Sequence, residues 1–349
     1  MLDDVNVLKQ RDQSGALEVA RGLYTQLEYE VELRDADHDG RAIKNVVVAG
    51  MGGSALAADL VKVLLKGELK VPYEVVKDYN LPRYVDHGTL VVVSSHSGNT
   101  EETISCLNDA MTSSSAPQIA VMATGGELER IADENSIMYA AIPTGTQPRM
   151  SMLYQLKCLL RLLQAFGLIK GHLYDSMSES ADWLRAESDA WTKESVTTHN
   201  YAKQLALLAV GKTPVFYGGS LMAPVAYKWK ISWNENAKNV AFWNYLPEFN
   251  HNEFLGWVSH PIEKPFVVFD LMSSLEHERV TKRFEVTDRL LSGLRPKSHE
   301  VHMNGDTLLR QMLWGCVLAD FVSIYVAILN NVDPVPVDLI EKFKKELND

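Results

Sequence analysis

The sequence predicts an α/β protein of two tandem domains, each a mostly parallel sheet flanked by helices. Three observations carry that expectation. The chain has 349 residues, enough for two domains at about 100–200 residues each. Short apolar runs alternate with helical stretches, the pattern of a parallel sheet covered on both faces. A strand, a Gly-Gly-Ser turn and a helix open each half, as VVVAGMGGSALAADL and TPVFYGGSLMAPVAY, with Ser54 and Ser220 separated by 166 positions. Such a recurrence points to one fold used twice. The expected division is 1–165 and 166–349.

In order along the chain, residues 14–33 read as an amphipathic helix, with Leu17, Ala20, Leu23 and Leu27 at helical spacing. Strands follow at Val46–Ala49, Tyr73–Val76, Leu90–Ser94, Ile119–Ala123 and Met138–Ile142. Met150–Phe166 is a long apolar helix, and the more polar 170–200 stretch is read as the connection. The second half restarts with a strand at Thr213–Tyr217, then strands near Val240–Trp243, Phe266–Leu271 and Glu300–Met303, and a last helix after the Asp333-Pro334-Val335-Pro336 turn.

Composition narrows the function. The net charge of −11 argues against a nucleic-acid surface, which carries a basic excess. It leaves small anions open, because a few local donors hold those. Cys106, Cys158 and Cys316 stand far apart in apolar surroundings, as free thiols in a reducing compartment do. No Cys/His or His/carboxylate spacing suited to a metal occurs, and no cofactor is expected. The opening MLDDVNVLKQRDQSG has no apolar run of signal-peptide length. Met312–Leu329 is apolar enough to resemble a membrane span, but Asp320 and Ser323 near its middle favour a buried helix. A cytoplasmic protein with no membrane partner is the expectation.

Two loops suit a phosphate. Gly50-Met51-Gly52-Gly53-Ser54 joins a strand to a helix, where glycine permits close backbone approach and the helix N-terminus offers N–H groups. Ser94 to Thr103, SSHSGNTEET, lies at a strand's carboxyl end, the edge where open α/β sheets bind ligands. Taken singly, a GxGG turn is common and a Ser/Thr-rich loop can be helix capping. GMGGSA also lacks the third glycine of a dinucleotide fingerprint, and no ribose-binding acid follows about twenty residues on. Together the loops favour phosphate.

The second loop resembles the signature loop of the sugar isomerase (SIS) domain. That resemblance implies two tandem SIS-type domains, with Ser95, Ser97 and Thr100 as phosphate ligands and Gly53 and Ser54 contributing. The position held by His96 is often tyrosine in this branch, and His96 is given no role. Further along, NENAK (234–238) and EFNHNE (248–253) resemble segments of the bifunctional phosphoglucose/phosphomannose isomerases. Gln147-Pro148-Arg149 and the DPVPV tail at 333–337 resemble two more. The helix-like Arg279–Leu291 also fits, so the resemblance spans nearly the whole chain.

An aldose–ketose isomerase needs a group that moves a proton between C1 and C2, carriers for ring opening, and a cation for the enediolate. On the match, Glu235 is the base, His251 assists ring opening, Arg149 stabilises the cis-enediolate and Lys344, with Lys342 as the alternative, helps open the ring. In that family the histidine reaches a neighbouring subunit's site, so a homodimer is implied. The expected reaction interconverts glucose 6-phosphate and mannose 6-phosphate with fructose 6-phosphate. A non-catalytic sugar-phosphate sensor and an amino-sugar phosphate isomerase or lyase are the alternatives.

Overall fold

The computed structural model describes residues 1–259 and 264–347. The chain forms two compact units. The first is Leu23–Leu184, and the second joins Met1–Gly22 to the chain from Arg185 onward. The expected division at 165/166 is therefore displaced to 184/185, and the first 22 residues belong to the second unit. Long-range polar contacts explain the placement of the first 22 residues. In helices α1 (Val5–Arg11) and α2 (Ala16–Arg21) and the link between them, the Arg11 guanidinium donates to the Ile328 carbonyl at 2.8 Å and Ser14 Oγ to Asp333 at 3.0 Å. The helix expected over 14–33 stops at Arg21. A 3-10 stretch, Gly22–Glu28, follows it, in which the buried Gln26 donates to the Met150 carbonyl at 2.6 Å.

The first unit holds a six-stranded sheet in the order β1-β6-β5-β4-β2-β3. Its strands are β1 (Leu33–Arg34), β2 (Asn45–Gly50), β3 (Tyr73–Val76), β4 (Thr89–Ser95), β5 (Gln118–Ala123) and β6 (Met138–Ala141). Only β1, at the edge, runs antiparallel. Every residue of β4 is buried, as a central parallel strand with both faces covered requires. Helices α3 (Gly52–Leu64), α4 (Glu101–Thr112), α5 (Gly126–Glu134), α6 (Met152–Ala165) and α7 (His172–Glu179) flank the sheet, and α8 (Ala181–Asp189) carries the chain out of it. From β2 the chain moves to β3 on one side, and from β4 to β5 on the other. The order thus reverses between β2 and β4, which makes the crevice at their carboxyl ends the place for a ligand.

The second unit repeats the plan with four parallel strands, β10-β9-β7-β8. These are β7 (Thr213–Gly218), β8 (Phe242–Tyr245), β9 (Phe266–Met272) and β10 (Ser298–His302). β8 starts two residues later than the sequence predicts, because Ala241 N is held by Asn234 Oδ1 at 3.1 Å and Lys238 turns the chain with φ of 53°. Helices α9 (Tyr201–Ala209), α10 (Ala223–Asn236), α11 (Glu278–Leu290), α12 (Leu308–Leu329) and α13 (Asp338–Leu347) complete it.

The apolar α12 is a core helix, buried along nearly its whole length. Its Asp320 is paired rather than isolated: Lys228 Nζ lies at 2.7 Å and Ser232 Oγ at 2.8 Å. Trp229 and Trp233 of α10 pack against Phe216 and Phe269 of the sheet.

Candidate active site

The first unit brings its predicted phosphate ligands together. The GMGGS turn follows β2 and the SHSGNT loop follows β4, so both lie at the reversal point of the sheet. Ser54 Oγ accepts from His96 N at 3.1 Å and stitches the loops to each other. Ser95 and Thr100 place their hydroxyl oxygens 2.7 Å apart, and Ser95 Oγ also accepts from Gly98 N at 3.1 Å. Thr100 is the N-cap residue of α4, yet its side chain makes no capping bond. Simple helix capping therefore does not account for this hydroxyl. Ser97 is exposed and accepts from Asn99 N at 3.2 Å. Gly98 has φ of 70° and lies hard against the Gly125 carbonyl, so only glycine fits there.

Arg149 belongs to the same unit. It sits in a 3-10 turn, Pro148–Met150, and is 3% exposed. A side chain at Gly53 would meet the Pro148 carbonyl at 3.2 Å and the Arg149 Cα at 3.6 Å. Glycine at 53 thus lets the first loop lie directly against the Arg149 turn. The turn is pinned from below, where Ser151 Oγ donates to the Pro148 carbonyl at 3.0 Å and Gln155 Nε2 to Ser151 Oγ at 2.9 Å.

Two further polar groups stand on these segments: His96, to which the sequence assigns no role, and Thr146, which it does not single out. His96 Nε2 and Thr146 Oγ1 are enclosed with no hydrogen-bond partner among the described residues. Burial pulls the His96 pKa below the ordinary imidazole value, so a neutral ring is favoured there. The proximity of Thr146 to the QPR segment was the available signal for it.

In the second unit Glu235 is half-buried in the last turn of α10. The row Lys228, Ser232 and Asn236 binds α10 to α12, with Asn236 donating to Ser323 Oγ at 2.9 Å. Seven positions from Lys228 and three from Ser232, Glu235 falls at the margin of the same stripe, in the last turn of the helix. It lines a cavity of about 710 Å³ with Asn234, Lys238, Asp333, Val337 and Ile340. Lys238 donates to the carbonyls of Glu235 and, at 3.2 Å, Pro334. The NENAK and DPVPV segments, far apart in sequence, are therefore joined here.

His251 and Lys344 are not among the residues lining that cavity. His251 is exposed at the end of a 3-10 turn, Glu248–His251. Its neighbours are clamped: Asn250 donates to Thr287 Oγ1 at 2.9 Å and accepts from Arg283 at 3.2 Å. Glu253 accepts from Asn244 at 2.7 Å and from the buried Tyr217 hydroxyl. Lys344 lies exposed on α13, 3.2 Å from Glu341, and Lys342 3.6 Å from Glu346. Among the described residues no group of three or more His, Cys, Asp or Glu is placed to hold a metal ion.

Residues 198–347 match the family model of the bacterial phospho-glucose isomerase C-terminal SIS domain. The chain is 36% identical over 307 residues to the bifunctional phosphoglucose/phosphomannose isomerase of Caldicellulosiruptor bescii, an alignment covering 87% of this chain and 90% of that one. The chain belongs to the bifunctional phosphoglucose/phosphomannose isomerase family. Its similarity to the family's Aquifex aeolicus member is 34% over 333 residues, covering 94% and 97% of the two chains. Among solved structures, a glucose-6-phosphate isomerase like protein from Thermus thermophilus superposes with a TM-score of 0.64 over 99% of this chain and 98% of that one. At 17% identity that likeness speaks for the two-unit SIS fold alone. The loops on which the family resemblance rests, at 94–103 and 234–253, are thus carried on a fold shared with phosphosugar isomerases.

Proposed function

We propose that this chain interconverts glucose 6-phosphate and mannose 6-phosphate with fructose 6-phosphate. The observation that carries the reading is the paired Ser95 and Thr100 hydroxyls at the reversal point of the first sheet, beside the buried Arg149 turn. The phosphate is held by Ser95, Ser97 and Thr100, with Gly53 and Ser54 closing the cradle. Glu235 takes the proton from one of C1 and C2 and returns it to the other. Arg149 stabilises the negative charge of the cis-enediolate, for which a fixed guanidinium is better suited than lysine. His251 from the neighbouring copy of a homodimer and Lys344 move the protons that open the ring. The exposure of His251 supports its reaching outward from a rigid base. The enzyme works in the cytoplasm without metal or cofactor.

A coupled assay in EDTA tests this, with glucose 6-phosphate and mannose 6-phosphate offered separately. Fructose 6-phosphate from both is the expected result. Product from glucose 6-phosphate alone narrows the reading to one sugar. No product from either, with glucosamine 6-phosphate consumed instead, replaces it with the amino-sugar reading. Binding of all sugars without turnover replaces it with the sensor. Light scattering at twice the chain mass is expected for the dimer.

A further inference from the structure

The repeat places a second potential cradle in the second unit. β7 and β9 are its counterparts of β2 and β4: each pair is adjacent and parallel, and the strand order reverses between them. The turn after β7 is Gly218-Gly219-Ser220, and the loop after β9 is Ser273-Ser274-Leu275-Glu276-His277. These match the GMGGS and SSHSGNT loops in place and in their leading small residues.

Their contents differ. In the first unit the crevice is lined by hydroxyls. In the second, a carboxylate of the chain itself enters it. Glu276 Oε2 accepts from Leu221 N at 2.9 Å and lies directly over Gly219, where a side chain could stand only if the carboxylate moved aside. The serines of the loop are turned elsewhere. Ser273 Oγ donates to Gln311 Oε1 at 2.6 Å, and Ser274 Oγ accepts from Gln311 Nε2 at 2.8 Å. Ser220 Oγ donates to the Leu246 carbonyl at 3.3 Å.

We infer that Glu276 seals the second cradle, its carboxylate taking the seat that a phosphate oxygen would take on the Gly-Gly-Ser turn, so that each chain holds one phosphate and not two. An anion entering there would meet both an occupied N–H and a like charge, and either is enough to exclude it. The inference rests on reading the first crevice as the phosphate site. It goes further in assigning the second a built-in anion and in making its ligand chemistry, a tetrahedral oxyanion, latent rather than lost.

Isothermal titration with inorganic phosphate reads this directly. The wild type takes one equivalent per chain. Glu276→Gln, which leaves an oxygen for Leu221 N, also takes one. Glu276→Ala takes two, the second weaker by about ten-fold or more because the serine hydroxyls remain committed to Gln311. Adding Ser95→Ala and Thr100→Val to Glu276→Ala removes the tighter equivalent and leaves the weaker. Survival of the tighter one would instead count against the first cradle, and that outcome is separate from the fate of the weaker. Two equivalents in the wild type overturn the inference. So does a Glu276→Ala chain with wild-type circular dichroism and melting temperature that takes only one. If alanine lowers the melting temperature, Glu276→Ser carries the same comparison, and one equivalent in the folded serine variant overturns it equally.

Discussion

Lys228 Nζ and Asp320 Oδ1 stand 2.7 Å apart in the interior of the second unit, with side chains only 1% and 3% exposed. The pair ties α10, which bears Glu235, to the apolar α12. Removing one partner strands a buried charge. Asp320→Ala should lower unfolding free energy by about 3–5 kcal/mol, measured by urea denaturation. The double change Lys228→Met with Asp320→Leu should recover most of that loss. A single variant as stable as the wild type would show that the pair does not hold α10.

Ser95 and Thr100 should matter to binding as well as to the shape of their loop. Each hydroxyl facing a phosphate makes a charge-assisted bond of about 1.5–3 kcal/mol, or about ten- to a hundred-fold in kcat/KM. Ser95→Ala is expected to raise KM for both sugar phosphates, and to lower stability by about 1–3 kcal/mol because Gly98 N and Thr100 lose their partner. Unaltered KM would remove Ser95 from the cradle.

Glu235→Gln should lower kcat by about 10²–10⁴-fold, the usual share of a general base, while the helix keeps its place through Lys228, Ser232 and Asn236. Rates are read in the EDTA assay and the fold by circular dichroism. Retained turnover would pass the proton-transfer role to another residue.

Asn250 fastens the turn before His251 to Arg283 and Thr287 on α11. Asn250→Ala loosens that attachment at a stability cost of about 1–3 kcal/mol for two bonds. The expected signature is a fall in kcat with KM nearly constant, partly restored by Asn250→Asp. Equal damage from Asn250→Ala to stability and to KM, with kcat intact, would make the clamp merely structural.

Asp270 gives the pH dependence. It is 3% exposed on β9, and burial pushes its carboxyl up to about 6, against the pull of Arg295 and a hydrogen bond from Ser298. A folded-state pKa above the unfolded one means the native state holds the extra proton. Its contribution is complete below about pH 4 and is lost as pH rises through about 6, a change of about 3 kcal/mol for two pKa units. Asp270→Asn should therefore gain on the wild type between pH 4 and 7 in parallel urea titrations. A difference constant across that range would mean Asp270 does not titrate there.

How much of this was legible before the structure depends on range. The strands were, because Val46–Val48 and Val91–Val93 are apolar on both faces and lie in the fully covered middle of the first sheet. The two loops at the reversal point were, because their glycines and hydroxyls stand in consecutive residues after β2 and β4. The fate of residues 1–22 was not, since Arg11 finds its partner 317 positions away. Nor was the end of the 14–33 helix, decided partly by Gln26 reaching Met150. The cavity at Glu235 was half legible: both of its segments stood out, but their meeting, through Lys238 bonding to Glu235 and Pro334, has no local signal. Glu276 carried no local signal, because its meaning comes from the turn it faces.

The placement of residues 1–22 sets an order of events during synthesis. These residues leave the ribosome before the 23–184 stretch, yet their partners on α12 leave it after. The 23–184 stretch has its whole sheet to hand meanwhile and can close while translation continues. The 1–22 segment must wait, apolar face uncovered, until α12 has been made. A product that ended before α12 would thus carry residues 1–22 with their apolar face left open to other chains.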